Sequence, residues 1–97
     1  MEEDLLSILD KAGLDEEHCK KSKKLRQIRT ILINRYIYMM RREETCAELE
    51  FMSLRTYHRN LNVGLAKISR FIIKDKIFKT QKELIEQVKM ALKLLHK

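Results

Sequence analysis

Between positions 54 and 72 the apolar residues are Leu54, Tyr57, Leu61, Leu65, Ile68 and Ile72, spaced three, four, four, three and four apart. Only a helix gathers residues at that spacing onto one side, whereas a strand would need every second position. The same period runs through Leu25, Ile28, Leu32, Tyr36 and Met39, with Ile33, Ile37 and Met40 widening the stripe. It returns near the end at Ile85, Val88, Leu92 and Leu95. The chain has no proline and only two glycines, so few positions force a helix to break. These patterns predict an all-α fold: a small bundle of four to five helices, forming one domain over residues 1–97.

Punctuation between the stripes divides the chain further. "EEDLLSILDKAG" predicts a short first helix, with acids in its first turn and Gly13 as its stop. "LDEEHCKKS" is a polar connector or a second short helix. A long helix is expected from about Lys23 to Arg42, with Arg41 and Arg42 complementing the dipole at its end. A short helix follows from about Glu44 to Glu50, and Ser53 is placed to cap the next. Gly64 interrupts that helix at a propensity cost of roughly 1 kcal/mol, which suggests that a neighbouring helix approaches closely there. Thr80 with Glu83 three positions later has the form of a capping box for a C-terminal amphipathic helix over residues 80–97.

Charge is unevenly placed. The formal net charge is +7, yet residues 1–17 hold seven acids against Lys11 alone and carry −6. The rest of the chain therefore carries +13. A basic body of this kind suits an anionic partner such as nucleic acid. The acidic beginning is unlike a secretory signal, and no apolar run approaches the ~18 residues a membrane span needs. Cys19 and Cys46 lack metal-ligand spacing, and adjacent His18 and Cys19 would point in different directions on a helix. A reducing, cytoplasmic setting is the simpler expectation. There is no Gly-rich phosphate loop, no H-E-x-x-H and no nucleophile motif, and His18, His58 and His96 are scattered. The expectation is a protein that is not an enzyme and uses neither cofactor nor metal.

Residues 44–74 have the layout of a helix-turn-helix: a short helix, a tight connection, and a Ser-capped longer helix with basic first turns. In such motifs the second helix enters the DNA major groove by its N-terminal residues. Arg55, Thr56, His58, Arg59 and Asn62 are the candidate base readers. Arginine can pair bidentately with guanine, and asparagine with adenine. Arg41, Arg42, Thr45, Ser53, Lys67 and Arg70 are candidates for phosphate contacts. Ala47 is small where the two helices would cross, Met52 would plug the turn, and Tyr57 and Leu61 would pack beneath.

The stretch "ILINRYIYMM…CAELEFMSLRTYHRNLNVGLAKISRFI" resembles the C-terminal part of the ArpU-type regulators of phage late genes in Gram-positive bacteria. Those in turn resemble the promoter-reading C-terminal domain of sigma factors. The matching residues are Ile31, Arg35 and Tyr36; then Glu48, Leu49, Met52, Ser53, Arg55, Thr56, Tyr57 and Arg59; then Leu65, Lys67 and Ile68. The likeness covers residues 31–72 and implies a small transcription regulator, encoded by a phage or mobile element, that binds double-stranded promoter DNA in a bacterial cytoplasm. The chain departs from the family pattern at the turn. The turn glycine is missing, Glu50-Phe51 stands where the family has one residue, and Gly64 replaces the usual alanine.

Two further expectations concern partners. Ile85, Val88, Leu92 and Leu95 could form a coiled-coil seam joining two copies, or lie against their own domain. The altered turn and acidic first helix also fit another class: a protein-binding modulator that captures a related regulator, a sigma factor or RNA polymerase.

Overall fold

Side-chain caps set three of the helix starts. Ser22 Oγ accepts from the Leu25 amide at 3.3 Å, Ser53 Oγ from the Thr56 amide at 3.1 Å, and Thr80 Oγ1 from the Glu83 amide at 3.2 Å. Each supplies an acceptor for an N–H that has no partner within the helix. The computed structural model describes residues 2–73 and 77–95. Along these run six helices: α1 (Glu2–Lys11), α2 (Glu16–Lys20), α3 (Lys23–Tyr36), α4 (Arg42–Glu48), α5 (Leu54–Ile72) and α6 (Gln81–Leu95). There is no strand among the described residues. The all-α expectation holds, with six helices in place of four to five, the polar connector being folded as the short helix α2.

Gly13 stops α1 as its position suggested. It adopts φ +79, its amide donates to the Asp10 carbonyl, and the Leu14 amide donates to the Leu9 carbonyl at 2.8 Å. This left-handed closure turns Leu14 inward, where it is fully buried. The stop of α3 differs from expectation. The helix ends at Tyr36, and residues 37–41 form a connector rather than another turn. The Ile37 and Tyr38 amides share the Ile33 carbonyl, and Met39 at φ +56 swings the chain aside. Buried Asn34 fastens the following helix by donating to Glu48 Oε2 at 3.2 Å. Arg41 thus lies at the N-cap of α4 and Arg42 in its first turn, so neither ends α3.

Helix α5 is the axis of the molecule. It packs against α1, α3, α4 and α6. Tyr57, Leu61, Leu65 and Ile68 on one side of it are buried with Ile28, Ile31, Leu32 and Tyr36 of α3, Leu5 and Leu9 of α1, and Val88 and Leu92 of α6. Burying each such side chain contributes about 1.5–3 kcal/mol. Gly64 lets α3 and α5 approach: a Cβ there would lie 2.7 Å from Ile28 Cγ2 and 2.9 Å from Leu32 Cδ1. The close approach expected from the sequence is therefore present.

The same core corrects one expectation for α6. Val88 and Leu92 are fully buried within their own chain, and Ile85 is half-buried against the same cluster. Val88 and Leu92 therefore face α1 and α5 of their own chain and not a second copy. The side chain of Leu95 lies outside the described residues.

Candidate nucleic-acid interface

Helices α3, α4 and α5 pack pairwise, and α4, the turn and α5 form the expected helix–turn–helix sequence of elements. The buried side of α5 fixes which way the other side faces. Tyr57 and Leu61 are anchored in the core, as foreseen, and half-buried Met52 packs against it beneath the turn. Arg55, Arg59 and Asn62 consequently stand in solvent. At about 100° per residue they fall within roughly 60° of one another, and they span about 10 Å along the axis. Exposed His58 flanks them and meets the edge of the Tyr57 ring, with centroids 5.3 Å apart.

This stripe has unspent charge. Helix α5 contains no acidic residue, and among the described residues no carboxylate comes within 4 Å of Arg55, Arg59, Lys67 or Arg70. Unpaired guanidinium groups on a rigid, capped helix keep their donors available to an anionic or acceptor-rich partner. Arg70 is exposed over the Phe71 ring at 5.6 Å and lies about 60° round the helix from Arg55. Lys67 is about 120° away and belongs to a different side.

The remaining candidates divide. Ser53 and Thr56 use their hydroxyls on each other, since Ser53 Oγ donates to Thr56 Oγ1 at 3.0 Å while capping α5. Thr56 is therefore a structural partner of the cap, with its oxygen already engaged. Thr45 is a correction: it is fully buried, and its hydroxyl faces the interior without a partner, so no phosphate can reach it. Ala47 is a second correction, for it is exposed, and Cys46 occupies the inner side of α4. The helix is rotated by one position relative to the expectation. Arg41 lies 3.9 Å from Glu44, and Arg42 lies 3.1 Å from Glu43, so both cations are neutralised locally. The short α4–turn unit also carries exposed Glu48, which accepts from Asn34, and exposed Glu50, which pairs with Lys23 of α3 at 3.3 Å. An approaching phosphate therefore meets uncompensated positive charge on α5 and already paired charge on α4.

Three features were not foreseen. Leu54, assigned to the apolar core line, is 42% exposed because it sits in the first turn, beyond the reach of α3. Phe51 is 87% exposed. Arg35 packs its guanidinium 5.7 Å from the Tyr36 ring centroid and close to the buried Tyr57 hydroxyl. Burial opposes its charge, but the two tyrosine hydroxyls outweigh that and hold the group above its ordinary value. Neither hydroxyl has a partner at strict hydrogen-bond geometry, so the contact is electrostatic in character. In the sequence Arg35 stood out only as one of the residues of the family resemblance, with no sign of its tyrosine contacts.

Catalytic chemistry gains little from the arrangement. Burial pushes both the Cys19 and Cys46 thiols up, away from the reactive thiolate form. No group of three or more His, Cys, Asp or Glu side chains suited to a metal ion occurs among the described residues. None of the described helices is long and apolar enough to cross a membrane. No protein-family model, no curated protein and no solved structure matches the chain.

Proposed function

We propose that this protein is a small transcription regulator, of the kind the ArpU-like stretch suggests, that reads double-stranded promoter DNA through α5. The observation that carries this reading is the exposed stripe of Arg55, Arg59 and Asn62, flanked by His58, on a helix with no acid and a buried opposite side. Donors on such a stripe match the acceptors that guanine and adenine display in the major groove. Lys67 and Arg70 supply further positive charge, with Arg70 the better placed for a phosphate. A phage or mobile-element origin and a bacterial cytoplasm belong to the same proposal. No catalytic step, cofactor or metal is part of it.

Selection of duplexes from a random pool at physiological salt tests the reading. One recurring sequence should be enriched, and its affinity should fall steeply as salt rises. Arg59→Ala should weaken binding by about 1–3 kcal/mol and relax the preference at one base pair. A pool with no enriched sequence would sink the proposal.

One observation favours a second reading. The carboxylates of Glu43, Glu44, Glu48 and Glu50 lie on the very unit that flanks the recognition helix. A protein-binding modulator of a related regulator, a sigma factor or RNA polymerase would tolerate that acidic patch better than a DNA binder. Stoichiometric capture of such a transcription protein, with only weak and non-selective DNA binding, would establish this alternative.

A further inference from the structure

Phe51 and Leu54 lie on either side of the Ser53 cap, and much of each side chain is in water: Phe51 is 87% exposed and Leu54 42%. Phe51 also holds φ +59, directly after Glu50 at φ +60. Left-handed backbone costs a non-glycine residue about 1–2 kcal/mol. The turn is closed by the Met52 amide on the Cys46 carbonyl at 3.0 Å and by half-buried Met52, but the Phe51 ring is not part of the buried cluster or of the half-buried layer against it.

The place of this apolar pair gives it a use. Leu54 lies four residues before His58, on the same flank of α5, and Phe51 lies just ahead of the helix that presents Arg55 and Arg59. The polar stripe offers hydrogen-bond donors rather than apolar surface. Arginine donors read guanine, and the Asn62 amide reads adenine. Thymine presents in the major groove an O4 acceptor, which donors can meet, and a C5 methyl, which apolar contact recognises. Beside the turn Glu48 accepts from Asn34 and Glu50 is paired with Lys23 at 3.3 Å, so this edge offers no uncompensated cation for a phosphate.

Resting on the DNA reading above, we propose that Phe51 and Leu54 form an apolar edge that reads the C5 methyl of a thymine next to the bases met by Arg55 and Arg59. Recognition then combines hydrogen-bond donors on one flank of α5 with methyl contact on the other.

Deoxyuridine substitution isolates the methyl. The duplex selected by the wild-type protein is resynthesised with each thymine replaced in turn, and affinities are measured for the wild type and for the Phe51→Ala/Leu54→Ala double variant. The wild type should lose about four-fold at one thymine, the worth of one buried methyl. The double variant should bind the thymine and uracil duplexes equally while keeping its preference at the arginine-read bases. Both side chains are substantially exposed, so helical circular dichroism should be unchanged. A wild type indifferent to every substitution overturns the inference while leaving the DNA reading intact. So does a double variant that keeps the full penalty. Failure to select any duplex removes the DNA reading itself, and the inference with it.

Discussion

Two of the turns that leave right-handed helical space do so with opposite consequences. At the end of α1 the left-handed residue is Gly13, the backbone closes with two hydrogen bonds, and Leu14 is driven into the core. Between α4 and α5 the left-handed residues are Glu50 and Phe51, and the aromatic ring is left in solvent. The Met52 amide reaches back to the Cys46 carbonyl at 3.0 Å, so this second turn is ordered as well. The first turn uses the residue with the least backbone penalty and gains burial. The second keeps a penalty, seats half-buried Met52 against the core and leaves an exposed ring just ahead of α5. Packing accounts for Leu14 at the first turn and for Met52 at the second, but not for the exposed Phe51 ring.

Substitutions at the two turns should therefore behave differently. The largest effect belongs to Leu14→Ala, which empties a fully buried site and should cost about 2–5 kcal/mol, read as a lowered urea midpoint. Gly13→Ala should cost about 1–2 kcal/mol, because a Cβ is strained at φ +79 although no atom lies within 4 Å to obstruct it. At the other turn the sign reverses. Phe51→Gly should raise stability by about 0.5 kcal/mol, the relief of left-handed strain less the greater entropy of an unfolded glycine. Phe51→Ala keeps the strain and removes only an exposed ring, so its midpoint should stay within about 0.5 kcal/mol of wild type. Equal stabilities for the Gly and Ala variants at position 51 would remove backbone strain from the account of that turn. A large loss for Phe51→Ala would show that the ring packs inside the protein after all.

The readable parts of the sequence were those whose physics is local. Gly13, Ser53 and Thr80 signal their turns and caps through one or two residues, and each has the predicted role. Tyr57, Leu61, Leu65 and Ile68 repeat a period that any helix must honour, and all are buried. Their burial in turn exposes Arg55, Arg59 and Asn62, so the candidate site follows from the pattern of its own helix. Gly64 was legible for the same reason, since a glycine amid helix formers calls for a close neighbour, and Ile28 and Leu32 are there.

Other features depend on contacts remote in sequence. The seven residues of α4 are too few for a period to fix its rotation, and packing against α3 and α5 turned Thr45 and Cys46 inward and Ala47 outward. The end of α3 carries no glycine or proline, and the chain breaks at Met39 in the place that lets Asn34 meet Glu48. The α6 stripe was equally suited to a second copy or to its own domain, and the apolar sides of α1 and α5 decided for the latter. Sequence by itself determined the helical class, the caps and the polarity of α5, because hydrogen bonding and periodicity act within a few residues. Only the tertiary structure decided which apolar stripe covers which, and which charges are neutralised by neighbours, because those depend on distances that folding alone creates.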